Sequence, residues 1–377
     1  MANLRVHVAG SAAPDCDKPL LEAAHAYLRR LGELLIEHGH GLVVTATGEP
    51  RSEYGVPVIF DWTLLEPVAA TPDPAAGWPT TGRARFVAVG SGRGLEKRPD
   101  DRKALWETCS GRSDFDLVVA PPGWRMAGII RERQVAAGDA LLILSGGAGV
   151  EHLAQLYSHE GKRVIPLNAR LGASQRDGSG GGAALHARAL DNPNDFFALR
   201  DGGGSATVRL SALRLDAATD IDTLAAATVA LIDDLRPPTA FYVRLLNPSA
   251  PEHAIVERFF RDVVDPVIVE RGFTPREMGR ETPETAFMNA EIFNVLHRAA
   301  LVVVDLTGMR TNCLMELGYA LGRRRRFVIS AQDGTQLGFD HDKLPTYFWK
   351  DAGTADERRA AYRDWLDLYS DLPPIVD

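Results

Sequence analysis

A chain of 377 residues, 45% hydrophobic and 24% charged, carries enough apolar mass for two packed cores and far more than a disordered segment would. A net charge of −8 argues against the broad basic face that a duplex nucleic-acid binder needs. Cys16, Cys109 and Cys313 are too few and too scattered for a disulfide framework or a metal site, so no structural metal and a reducing, cytoplasmic setting are expected.

The first residues, MANLRVHVAG, hold no apolar core of signal-peptide length, and no stretch approaches the ~20 apolar residues of a membrane span. Leu4 to Ala9 predicts a strand ending at Gly10-Ser11, a turn whose bare backbone can approach a ligand. Leu20, Ala24, Leu28, Leu31 and Leu35 form one stripe of a helix from about Pro19 to His38, stopped by Gly39 and Gly41. Leu42 to Ala46, Phe86 to Val89 and Leu117 to Ala120 follow as strands, with a loop expected over Pro67 to Gly82. Ile129 to Asn168 then predicts helix, buried strand (Ala140 to Leu144), glycine turn, helix and strand (Arg163 to Leu167), a βαβ unit. Ser145, Gly146, Gly147 and Gly149 lie between strand and helix, where backbone N–H groups can cradle a phosphate or glycine can simply permit tight packing. Gly172 to Gly204 is expected as loop or lid, and Asp220 to Leu235 as a helix ending at Pro237-Pro238.

Glu132-Arg133-Gln134, the strand after it and Ser145-Gly146-Gly147-Ala148-Gly149-Val150 together resemble the LOG-type phosphoribohydrolases and the wider SLOG superfamily of nucleotide-derivative binders. Their pattern is E-R-K, a strand, then P-G-G-x-G-T-x-x-E. The resemblance implies a nucleotide site made by Gly10, Ser11, Arg133, Ser145, Gly146, Gly147 and Gly149. The catalytic glutamate of those enzymes falls on Leu153, and Glu151 stands two residues early. What is implied is therefore a sensor that binds an ADP-ribose-like or cyclic-nucleotide signal without hydrolysing it.

In the second half, Ala240 to Leu246 predicts a strand, Glu252 to Arg271 a helix kinked or restarted at Pro266, and Thr285 to Arg298 a further helix. Leu301 to Val304 is a β-branched run that stops at Asp305, and a polar turn leads into a helix over Cys313 to Gly322. Ligands of parallel sheets sit beyond the carboxyl ends of the strands, so Asp305 and Glu316 are expected to face one crevice, Glu316 in the first helical turn. Arg323 to Arg326 complements the helix end or meets a phosphate, Leu344 to Lys350 lines the pocket or an oligomer contact, and Asp356 to Leu368 forms a terminal helix.

The wording NCLMELGYALGRRRRFVI, with FYVRLLN and MNAEIFNVLHRA upstream, resembles the nucleoside 2-deoxyribosyltransferases, and the same architecture occurs in TIR-like NAD-cleaving domains. That resemblance implies that Glu316 attacks the anomeric carbon of an N-glycoside and that Tyr242 orients it. Asp305 or Glu291 would hold sugar hydroxyls or handle a proton on the base, with Asn289, Thr307 and Asn312 as substrate-binding candidates. The whole is expected to be α/β, with two Rossmann-like domains of mainly parallel sheet flanked by helices: a nucleotide-sensing domain over 1–205, a linker helix over 206–238 and an effector over 239–377. Such a pairing resembles bacterial antiphage immunity effectors. It implies a signal-regulated N-glycosidase acting on NAD or a nucleoside or nucleotide, a homo-oligomer that binds small nucleotide ligands and requires no cofactor. The alternative is a nucleotide-binding sensor without chemistry.

Overall fold

The computed structural model describes residues 3–73, 84–123, 126–172, 181–200, 205–277, 288–323, 325–338 and 342–369, excepting the side chains of 288–291. The chain divides into two units, Met1–Arg236 and Pro237–Asp377.

The first unit runs β1 (Arg5–Ser11), α1 (Lys18–Glu37), β2 (Gly41–Ala46), α2 (Asp61–Ala70), β3 (Phe86–Ser91), α3 (Gly92–Glu96), α4 (Lys103–Ser110), β4 (Phe115–Ala120) and α5 (Met126–Ala137). It continues with β5 (Ala140–Ser145), α6 (Ala148–His159), β6 (Arg163–Ala169), α7 (Gly181–Asp191), α8 (Ala206–Ala212), β7 (Arg214–Leu215) and α9 (Ile221–Asp233). The sheet order is β4-β3-β2-β1-β5-β6-β7 and every pairing is parallel. Parallel neighbours need crossovers, which is why helices alternate with strands. The chain starts in the middle of this sheet and winds outward in both directions, so its switch point lies between β1 and β5.

The stripe expected for the first helix is realised from Ala24 onward: α1 buries Ala24, Leu28, Leu31 and Leu35 with Leu21, while Leu20 is only partly buried, and the Asp17 carboxylate accepts the Leu20 N–H at its start. Two expectations are corrected. Pro67–Ala70 belong to α2, where Trp62, Leu65 and Val68 are buried. Gly181–Asp191 are helical rather than loop, because the Ala-Ala-Leu-His-Ala run beyond the glycines packs Leu185 and Ala189 into the core. Residues 173–180 and 201–204 of that expected loop lie outside the described residues. At the end of this unit α9 lies along α1, with the Tyr27 hydroxyl 3.0 Å from that of Thr228 and Arg30 2.8 Å from Asp222. Residues 206–236 thus complete the first unit, β7 supplying its last strand.

The second unit runs β8 (Thr239–Val243), α10 (His253–Phe259), α11 (Asp265–Glu270), β9 (Thr274–Glu277), α12 (Met288–Arg298), β10 (Leu301–Asp305), α13 (Thr311–Gly322), β11 (Phe327–Gln332), β12 (Thr346–Trp349) and α14 (Ala355–Tyr369). Its sheet is also parallel, in the order β12-β11-β10-β8-β9, with the switch point between β8 and β10. Between α10 and α11 the helix passes through a π turn, Phe260–Val264, just before Pro266, which absorbs the hydrogen bond that proline cannot make. Alternation along the strands separates two cores. Ala240, Tyr242, Leu301 and Val303 enter one layer with Phe259, Trp349 and Tyr362. Phe241, Val243, Val302 and Val304 enter the other with Leu296, Cys313 and Leu317. Among the described residues no helix is long and apolar enough to cross a membrane.

Candidate functional sites

In the first unit the two motifs singled out in the sequence meet. Gly10 and Ser11 pair in register with Leu144 and Ser145, so Gly10-Ser11 and the glycine turn 145–149 flank the switch point. A Cβ on Gly10 would overlap the Leu144 carbonyl oxygen, so only glycine lets β1 lie this close to β5. Beyond β5, Ser145 and Gly146 are both left-handed, at φ 60° and 91°, and turn the chain into α6, whose N-terminus at Gly147 has no side-chain cap. The first N–H groups of such a helix have no intrahelical partner and suit an anion.

Part of the turn is taken up by packing. The Gly182 N–H donates to the Gly146 carbonyl at 3.1 Å, the Glu151 carboxylate accepts from Gly181 N–H, and the Ser145 hydroxyl accepts from Leu171 N–H at 3.3 Å. Glu151 is thus occupied as a helix cap. Leu153 is 4% exposed and packs with Val135, Leu141, Ile143 and Val150. Arg133 is exposed. Arg131 lies against the turn instead: its Nη2 is 3.2 Å from where a Cβ on Gly149 would sit, and its Nη1 is 3.1 Å from His152 Nδ1. Two residues along a helix is more than half a turn, which is why the motif's arginine and the arginine at the turn differ. Another group that sequence motifs did not mark is Asp61, at the start of α2 beside the end of β2. Burial pushes its carboxyl up to about 6, while the Thr45 N–H donates to it at 2.5 Å. Thr45 in turn accepts from the Gln134 side chain at 2.8 Å.

In the second unit the loop from β10 to α13 again holds two consecutive left-handed residues, Gly308 (φ 74°) and Met309 (φ 46°). A left-handed non-glycine costs on the order of 1–3 kcal/mol and tends to mark a working site. α13 begins at Thr311, so Glu316 lies in its second turn, not its first, and gains little from the helix dipole. The helix buries Cys313, Leu317 and Ala320, and Glu316 sits at the edge of that stripe, half-buried. Burial pushes its carboxyl up to about 7. Among the described residues nothing donates to it or pairs with it. Asn312, one turn earlier on the same helix, is exposed. Arg310, just ahead of the helix, pairs with Glu252 at 3.1 Å, a contact no motif foretold. Burial, with Glu316 and Asp305 nearby, pushes the Cys313 thiol up to about 12, which removes it as a nucleophile near neutral pH.

Of the expected carboxylates, Asp305 and Glu316 both lie near Cys313, and Asp305 spends its oxygens on neighbours of its own. Asp305 is 1% exposed and accepts from Thr307 N–H at 3.1 Å, Ser330 hydroxyl at 2.9 Å and Trp349 indole N–H at 2.9 Å. Burial raises its carboxyl above the usual range, against the pull of those donors. Thr307 is 2% exposed and its hydroxyl accepts from Gln332 N–H at 2.8 Å. Tyr242 lies in the core layer opposite α13, edge-on to Phe260, and cannot orient Glu316 by the expected hydrogen bond. Burial, with Asp265 close by, holds its hydroxyl far above the ordinary phenol range. Strand alternation explains the outcome: a tyrosine at 242 must face away from the layer that receives Phe241 and Val243. Arg325 of the arginine run is 1% exposed, so it is not a free helix-end cation. The side chains of Asn289 and Glu291 lie outside the described residues.

A family model described as ATP nucleosidase Cap17-like, N-terminal, matches residues 1–231, more than half of the chain. Two curated relatives, both named ATP nucleosidase Cap17, come from Escherichia coli (strain KTE188) and from Escherichia coli. Each is 27% identical over 195 residues, which is 52% of this chain and 38% of the relative. The matched stretch therefore spans little more than a third of the relatives' own length. The family match ends within the first unit, whereas Glu316 lies in the second.

Proposed function

This chain belongs to the ATP nucleosidase Cap17-like N-terminal family, and from that premise we propose that it is a nucleotide N-glycosidase whose chemistry lies in the second unit. The observation that carries the reading is Glu316, a half-buried carboxyl with no partner among the described residues, on the helix that follows β10. Breaking a base–ribose bond passes through an oxocarbenium-like state: the bonding electron pair leaves with the base, and positive charge develops on the sugar. The Glu316 carboxylate stabilises that cation or bonds to the anomeric carbon, and water or a second base completes the reaction. ATP, named for the relatives, joins NAD and nucleosides as a candidate substrate. Asn312 would meet the sugar hydroxyls, and Glu291 and Asn289 keep the roles that the deoxyribosyltransferase resemblance implies for them.

The first unit in this reading binds a nucleotide-derived signal at Gly10, Ser11 and the glycine turn. Arg131 takes the place expected of Arg133, and no hydrolysis follows, because Leu153 is an apolar core residue. Signal binding would regulate the second unit within a homo-oligomer, in the setting of antiphage immunity. The test is the purified full chain with ATP, NAD and a panel of nucleosides, with and without ADP-ribose or cyclic nucleotides, read by chromatography for freed base. Base release that Glu316→Gln abolishes supports the glycosidase. Tight nucleotide binding with no base released from any substrate would leave the sensor without chemistry, which Leu153 at the acid position and the fully bonded Asp305 favour.

A further inference from the structure

We propose that Asp305 and Thr307 are positioning residues: with Ser330 and Trp349 they lock the ends of β10, β11 and β12 together and so fix the start of α13, which carries Glu316. The lock joins three strands. Asp305 Oδ1 accepts from the Thr307 N–H, while Oδ2 accepts from Ser330 on β11 and Trp349 on β12. The Thr307 hydroxyl accepts from Gln332 N–H at the end of β11, and the Leu306 N–H donates to Ser330 carbonyl at 2.8 Å. Trp349 is itself held by stacking on Phe259, ring centroids 4.3 Å apart and 8° from parallel. Only Gly308, Met309 and Arg310 separate this bracket from the first residue of α13, and two of them are left-handed. A chain so constrained has little slack, so a displaced bracket displaces the helix.

The chemistry of the bracket gives it a signature. All three groups facing Asp305 donate, and an ionised carboxylate is an acceptor only, so it satisfies all three. An amide at 305 keeps an oxygen for Thr307 but turns an NH2 group toward the indole N–H, donor against donor. Deleting that indole N–H should relieve the conflict, a rescue that loss of generic packing would not give.

The experiment compares full-length wild type, Asp305→Asn, Trp349→Phe and the double variant. The inference rests on the glycosidase reading for its activity readout alone. Asp305→Asn is expected to lower kcat about 100-fold, the loss that follows a misplacement of a reacting group by ~1 Å, with KM within about threefold of wild type. The double variant should recover about tenfold of that kcat, whereas independent substitutions would compound the loss. An unchanged kcat in Asp305→Asn, a raised KM at constant kcat, or a double variant no better than the single would each overturn the assignment. If wild type frees no base, the glycosidase reading falls, and the lock is then judged by hydrogen exchange of the amides over 306–316. Exchange should quicken in Asp305→Asn and slow again in the double variant; exchange equal to wild type in Asp305→Asn overturns it.

Discussion

Glu316→Gln should make the protein inactive and, above neutral pH, more stable. Burial pushes this carboxyl from an ordinary 4.5 up to about 7, so the folded state favours the protonated form more than the unfolded chain does. The sign follows from proton linkage: below about pH 4.5 both states are protonated and burial costs nothing. As pH rises through about 7 the folded protein must hold a desolvated charge, and stability falls. At ~1.4 kcal/mol per tenfold change the full penalty is about 3 kcal/mol, and exposure of part of the side chain reduces it to about 1–2 kcal/mol. Glutamine keeps the shape and never ionises. Urea unfolding should therefore find the variant about 1–2 kcal/mol more stable than wild type at pH 8 and equal to it at pH 4.5. Wild-type base release should rise about tenfold between pH 6 and 8, as the ionised fraction grows from about a tenth to about nine-tenths. A variant no more stable than wild type at pH 8 would mean that the carboxyl is solvated. Turnover that persists in the variant would remove Glu316 from the chemistry.

Gly10→Ala should cost more than ~3 kcal/mol in denaturant unfolding, because its Cβ overlaps a backbone oxygen of β5; a change below ~0.5 kcal/mol would refute the close approach. Calorimetry should show Arg131→Ala weakening nucleotide binding at least about tenfold while Arg133→Ala leaves it unchanged, and the reverse order would restore the motif's arginine as the contact. Burial lowers His7 to about 3, so the first unit should lose stability as pH falls from 6.5 toward 3, where the unfolded chain takes up a proton that the folded one refuses. His7→Gln should flatten that slope between pH 6.5 and about 4, and a slope unchanged in the variant would assign the acid sensitivity elsewhere.

The sequence alone was enough for the architecture and for the two strand-to-helix turns beside the switch points. Parallel sheets are buried on both faces, so β5 and β10 appear as near-continuous apolar runs, and the residues that end such runs must lie where ligands bind. Ser145 to Gly149 and Asp305 to Glu316 are legible for that reason. A glycine pair heading a helix is ambiguous from local propensity, and only packing of Leu185 and Ala189 decided that Gly181–Asp191 is helical. Which side chains actually meet was a matter for the tertiary structure. The family wording groups Tyr242 and Asp305 with Glu316, yet strand alternation turns Tyr242 into the opposite core, and three donors from separate segments close over Asp305. Trp349 and Ser330 reach Asp305 from 44 and 25 residues away in sequence, and Arg131 displaces Arg133 by the angular step of a helix. Periodicity specifies which face of an element is buried, but it carries no information about which distant donor will arrive there.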